Sequence, residues 1–206
     1  MSIKLVLFYF LFVAFFMVSA QDSNLKKFRI LSGPEKCWVI FHPFIAKKVL
    51  IISEKARVIT KEVLLRMVLE GSGDGDQIDA FRHAFWMASL AQEIGKRRAR
   101  CLGEKHEKGN YKDYKQRRFE DGVIPDKISS EMDLFNNEIG FEIGFEIGYN
   151  GLDLKLRVVD AVLNGDCKVV RKDITDNFID CEGNLIPIEN LKGKWENSKC
   201  LVWSNE

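Results

Sequence analysis

The segment from Asp76 to Gly95 leaves the fold little choice. Asp76 is a residue type that caps helix N-termini and Gly95 one that closes helices, so Gln77 to Ile94 reads as a single helix. At about 100° per residue, Phe81, Ala84, Phe85, Ala88 and Ala91 share one face. Asp79, His83, Trp86 and Leu90 form a second, narrower stripe, flanked by Arg82. A helix occupied on two sides has little surface to give to water. It is expected at the centre of a domain, with other helices packed around it.

The neighbouring stretches supply those helices. Pro43 suits a first helical position, and an apolar-rich stretch with Phe44, Ala46, Val49, Leu50 and Ala56 runs to about Leu69, with a possible break in pattern near Ser53. Gly71 to Asp76 is a break by composition; it lacks the alternating acids and closing Glu of a calcium loop. A short helix from Lys96 to Glu107 would put Ala99, Leu102, Gly103 and His106 on one face. Residues 108 to 128, with Gly109, Asn110, Gly122 and Pro125, read as a long polar loop.

Ser129 or Ser130 is expected to cap the next helix, to about Tyr149. Its triplet Glu-Ile-Gly recurs at Gly140, Gly144 and Gly148. Each glycine costs a helix about 1 kcal/mol relative to Ala, which is tolerable where a second helix must come close. Glu138, Glu142 and Glu146 form a solvated strip, whereas Asp133 and Asn137 continue the buried glycine stripe with Asn136 beside it. Leu152 to Leu163 is a last helix. Beyond it, CKVV, FIDCEGNLIPI and CLVW are short β-like runs.

The expected fold class is therefore mostly α, a compact helical domain with a small, partly β, cysteine-bearing C-terminal segment. Residues 1–20 read as a signal peptide, 21–36 as a polar lead-in, 37–165 as the helical domain and 166–206 as the C-terminal segment. The first twenty carry Lys4, an apolar run from Leu5 to Val18, and Ser19-Ala20 before a polar QDSN. The alternative is an N-terminal membrane anchor, since the run approaches the roughly 17 residues that cross a bilayer. Cleavage implies a secreted or periplasmic protein with no stable membrane span. Five cysteines remain, Cys37, Cys101, Cys167, Cys181 and Cys200, with no CxxC pair. One or two bridges within Cys167, Cys181 and Cys200, and at least one free thiol, are expected.

Charge excludes one class of partner and suggests another. The chain holds 31 Lys and Arg against 30 Asp and Glu, so no bulk attraction to nucleic acid is expected. The balance is nevertheless uneven along the sequence. Lys96 to Arg118 holds ten basic residues and three acids, and Glu120 to Asp153 nine acids and one base. These are either solvated faces that neutralise each other across the fold, or a basic patch, with Tyr111, Tyr114 and Phe119 interleaved, for an anionic small molecule or lipid.

His83, His106 and Asp133 fall on faces otherwise built from Trp86, Leu90, Ala99, Leu102 and glycine. Burying such groups without partners costs several kcal/mol for a charge, so they are expected to satisfy one another. With the adjacent Glu107 they are the side-chain types of a His/carboxylate metal site or of a general acid/base site. Asp79, one turn before His83, could orient its imidazole. The bland alternative is a hydrogen-bonded polar network that fixes how three helices pack.

DAFRHAFW (Asp79–Trp86), KHE (Lys105–Glu107) and MDLFNNEIG (Met132–Gly140) resemble an uncharacterised bacterial domain family of pattern D-A-F/Y-R-H-A-x-W, A-H-E, M-D-L-x-N-N-x-x-G. HPFIA at His42–Ala46 and GNLIP at Gly183–Pro187 extend the likeness to roughly residues 38–188. Lys105 stands where the pattern has Ala, and the basic loop before MDL is longer. The family is a domain of unknown function often found in secreted or toxin-like proteins. The resemblance implies a mostly helical domain with a polar cluster of Asp79, Arg82, His83, His106, Glu107, Asp133, Asn136 and Asn137.

The functional expectation is an exported hydrolase acting on a phosphoester or phospholipid. His83, His106 and Asp133 would be ligands of a divalent metal such as zinc or acid/base groups, and Glu107 the base. Arg82, Asn136 and Asn137 would bind substrate, with Asp79 and Trp86 supporting them. The alternative is an exported, non-enzymatic binding module in which the same cluster is structural.

Overall fold

A computed structural model describes residues 24–118, 124–146 and 151–206. Residues 24–30 are helical. Then come α1 (Gly33–Phe41), α2 (Pro43–Leu65), α3 (Gln77–Ile94), α4 (Lys96–Lys115), α5 (Lys127–Ile143) and α6 (Gly151–Leu163). The C-terminal segment adds β1 (Lys168–Val170), α7 (Ile188–Leu191) and β2 (Leu201–Trp203). The two strands pair antiparallel, Lys168 opposite Trp203 and Val170 opposite Leu201. The chain is thus mostly α with a small β ribbon. The expected signal peptide, Phe119, and the repeat's last part at Gly148 and Tyr149 lie outside the described residues.

The helix from Gln77 to Ile94 is central, as its pattern requires. Asp76 caps it, and twelve of its eighteen residues are buried. One side contributes Phe81, Ala84 and Phe85 to a core shared with Val158 and Val162 of α6 and Ala56 and Val63 of α2. The other contributes Met87, Leu90 and Ala91 to a core with Trp38 of α1, Leu102 of α4 and Phe141 of α5. Against α5 the approach is backbone to backbone: a Cβ on Gly140 would lie 2.0 Å from the Ala84 carbonyl oxygen. One on Gly144 would lie 2.7 Å from that of Ala88. The glycine stripe is a contact surface, and Glu138 and Glu142 opposite it face solvent.

Four expectations about the elements need correction. The lead-in already holds the start of α1, begun by a capping box in which the Ser32 hydroxyl accepts from the Glu35 backbone and the Glu35 carboxylate from the Ser32 backbone. The helix from Lys96 continues to Lys115 instead of ending at Glu107. Gly109 lies within it, because a Cβ there would meet the Ser32 hydroxyl at 2.4 Å. Asp126, rather than a serine, caps α5 by accepting from the Ser129 N–H at 2.9 Å, and Ser130 is buried. Finally α2 is unbroken at Ser53, whose hydroxyl donates to the Val49 carbonyl within the helix, and it ends at Leu65.

The C-terminal segment is stapled by Cys181–Cys200. Cys167 is a free buried thiol, pushed up to about 12 by burial and then by the neighbouring Asp166, so it is chemically quiet. Lys199 forms a buried ion pair with Asp126 at 2.7 Å and lies over the Phe178 ring. Among the described residues no helix is long and apolar enough to cross a membrane.

Candidate metal and acid–base centre

The site begins with the loop before α3. Asp76 turns its carboxylate back on that loop and accepts from the Ser72 N–H at 2.6 Å and the Gly73 N–H at 2.9 Å. Gly71, at φ +111°, lies so close to this carboxylate that any Cβ would collide with it. The Gly75 N–H is left pointing at Asp79, donating to Oδ2 at 2.8 Å. Arg82, one turn on, donates from Nε to Asp79 Oδ1 at 3.0 Å and from Nη2 to the same oxygen.

His83 is 3% exposed and sits between two carboxylates. Its Nε2 is 3.5 Å from Asp79 Oδ1 and 3.2 Å from Asp133 Oδ1, across the α3–α5 contact that the glycines permit. Neither ring nitrogen has a well-aligned hydrogen bond among the described residues. Burial, then the charges of Arg82 and His106, hold His83 well below its usual range, against a smaller opposing influence of the Asn137 amide. The ring is therefore neutral at pH 7. Burial raises Asp79, partly countered by Arg82.

One potential ligand atom each from Asp79, His83 and Asp133 lie within 4.8 Å of one another. Ligand atoms held at 2.0–2.2 Å by a single tetrahedral ion are about 3.4 Å apart, close to the two separations at His83. A neutral imidazole and two carboxylates also suit a divalent cation such as zinc. The expected set had His106 in place of Asp79. The structure turns His106 toward α1, where Nδ1 lies 3.0 Å from Glu35 Oε1. Its ring remains near the centre, 6.4 Å from that of His83, and packs against the edge of Trp86.

Glu35 is the residue the sequence reading missed. One oxygen completes the cap of α1 by accepting from the Ser32 N–H at 2.8 Å, and the other holds His106. Burial alone would raise its pKa. The bond and charge of His106, with the Ser32 contacts, outweigh burial and hold it below the ordinary value. The capping-box spacing of Ser32 and Glu35 was readable; the partner on α4 was not.

The remaining candidates divide. Trp86 donates its indole N–H to the Ser53 hydroxyl at 2.9 Å and forms a wall beside His106. Glu107 is buried on α4 and accepts from the Asn110 amide at 3.0 Å, outside the group of three ligand atoms. Asn137 is buried beside His83. Asn136, expected to bind substrate, has another task. Its amide donates to the Lys168 carbonyl and accepts from the Lys168 N–H, both at 2.9 Å, so it clamps β1 to α5.

The basic stretch divides as well. Arg100 pairs with Glu138 of the acidic strip, and Arg117 donates to the Gly193 carbonyl. Lys105, Lys108 and Lys112 line an open groove of about 720 Å³ with Tyr111 and Trp195.

No curated protein and no solved structure matches this chain. A family model described as Domain of unknown function (DUF6973) matches residues 36–162. That range holds Asp79, His83, His106 and Asp133, starts one residue after Glu35, and stops short of the GNLIP segment at Gly183–Pro187. As it covers more than half of the sequence, the chain belongs to the DUF6973 family.

Proposed function

We propose that this chain is an exported, metal-dependent hydrolase of phosphoesters, with Asp79, His83 and Asp133 as ligands of a divalent cation. The convergence of three buried ligand atoms, one of them a neutral imidazole nitrogen, carries the reading. A cation bound there supplies a Lewis acid and a water of lowered pKa. Asp133 and His83 approach from different helices and fix its position. Arg82, partly exposed beside Asp79, is placed to hold a phosphate oxygen. Glu35 accepts from the His106 Nδ1–H, which fixes the tautomer in which Nε2 is the basic nitrogen, so that His106 would act as the acid–base group of the hydrolysis. The base is thus His106 rather than Glu107. Export rests on the N-terminal sequence alone.

One observation favours the second reading, a metal-free polar cluster in a binding module. Arg82 places two donors on Asp79 Oδ1, an oxygen a cation would have to share. Elemental analysis and zinc titration separate the two, with bis(p-nitrophenyl) phosphate as the hydrolysis probe. The metal reading expects about one equivalent of metal, lost in His83→Ala and Asp133→Asn together with hydrolysis, and metal retained without hydrolysis in His106→Ala. If the unsubstituted protein takes up no metal and His83→Ala merely lowers thermal stability, the cluster is structural.

A further inference from the structure

We propose that the outer face of α2 is a docking surface for an anionic lipid bilayer, a property independent of the metal centre. The inner face of α2 is spent on the fold, with Val49, Ile52, Ala56 and Val63 buried. The opposite face should then be polar, yet Phe44 is 99% exposed, Ile51 55%, Val58 68% and Leu65 71%. The four are spaced seven residues apart, so they form one line along a helix about 34 Å long. Ile40 and Phe41, at the end of α1 just before it, are also exposed, at 65% and 76%. Single exposed apolar residues need no explanation, but a contiguous row marks a contact surface.

Charge decides what the row contacts. Along α2 and its cap, Lys47, Lys48, Lys55, Arg57, Lys61 and Arg66 outnumber Glu54 and Glu62, a net charge of +4 for the segment, and of these cations Lys48 is paired with Glu93 of α3. Both acids are already paired, Glu54 with Lys27 and Glu62 with Arg66 and Lys155. Lys47, Lys55, Arg57 and Lys61 have no ion-pair partner among the described residues. A second copy of the chain would bring +4 against +4, so self-association through this face is opposed. Spanning is excluded for a helix with this many charges. A helix that buries separate apolar side chains at the headgroup boundary, with long lysines between them reaching to anionic phosphates, is the arrangement of an interfacial helix.

The test reads position, because the apolar run at Leu5 to Val18 could bind membrane by itself. In the full chain, Val58→Trp reports on the α2 face and Ile174→Trp, at a fully exposed position of the C-terminal segment, serves as the control. Each is mixed with vesicles of brominated phosphatidylcholine, with or without an equal part of phosphatidylglycerol. The expected result is quenching of the added Val58→Trp emission on phosphatidylglycerol vesicles, weakened by salt and absent for Ile174→Trp. Adding Ile51→Asp or Leu65→Asp should weaken this association about tenfold, with the melting temperature unchanged. Equal quenching at both positions, no quenching, or quenching that survives both aspartates overturns the proposal. So does a Val58→Trp emission that shifts with protein concentration in the absence of lipid, which would assign the face to another copy.

Discussion

Replacing Gly140 with Ala should cost both stability and the centre, for one geometric reason. The added methyl would lie 2.0 Å from the Ala84 carbonyl oxygen and 2.6 Å from both the Ala84 carbonyl carbon and Cα. Ordinary contact needs about 3.4 Å or more, so α3 and α5 must separate by roughly 1 Å or tilt. No rotamer change relieves this, because the obstacle is helix backbone. Overpacking costs about 1–3 kcal/mol, and a backbone obstacle places this case at the upper end. Alanine returns about 1 kcal/mol of helix propensity. The net loss is about 2 kcal/mol, a fall of about 4–8 °C in melting temperature for a chain of this size. Asp133 lies two turns earlier on the same face, 3.2 Å from His83 across the same contact. A displacement of 1 Å there would take the pair out of ligand range, so zinc affinity should fall with stability. Gly103→Ala is the control, since its methyl would meet no backbone, only the flexible end of the Met87 side chain at 2.6 Å and, in ordinary contact, the Asn137 amide at 3.6 Å. Calorimetry and zinc titration of the two variants check this. A Gly140→Ala protein as stable as the Gly103→Ala control would refute the close-approach argument.

Two further outcomes follow from buried charges. Lys199→Ala strands the Asp126 carboxylate, which is both an ion-pair partner and the cap of α5; a loss of about 3 kcal/mol in urea unfolding is expected, and a value below 1 kcal/mol would show that water reaches the pair. Glu35 is held below its ordinary pKa of 4.5, so its stabilising contribution is full above that value and is lost as pH falls through the lower, folded value. Glu35→Gln should therefore flatten the acid limb of the stability profile below about pH 4.5, and an unchanged limb would mean that the His106 bond contributes nothing.

Much of the fold was legible because its strongest signals are local. The bounds of α3 follow from one cap and one terminating glycine, and the glycine stripe of α5 from helical period alone. Where the reading failed, a distant contact had changed what a residue was for. Gly109 and Asn110 look like loop residues in isolation, but Gly109 is where Ser32 of another element comes closest, and Asn110 donates to Glu107 within the helix. Asn136 shows the same limit. Its place beside a polar stripe suggested substrate, whereas a strand 32 residues later uses both ends of its amide.

The centre itself shows why period finds members and not partners. His83, Asp133 and Asp79 could each be placed on an inward face, but whether Asp79 or His106 completes the trio depends on competition for His106. Asp79 is tied to α3 by one helical turn and to its loop by the Gly75 N–H, so it cannot leave His83. His106 sits on a different helix, 71 residues from a carboxylate whose position is fixed by the cap of α1. A carboxylate already ordered by capping loses little further freedom in holding an imidazole. That contact draws His106 off the ligand group while keeping its ring within 6.4 Å of His83. The proposed hydrolysis calls for a base beside the ligands and not among them, and the Glu35 contact is what holds His106 apart from Asp79, His83 and Asp133.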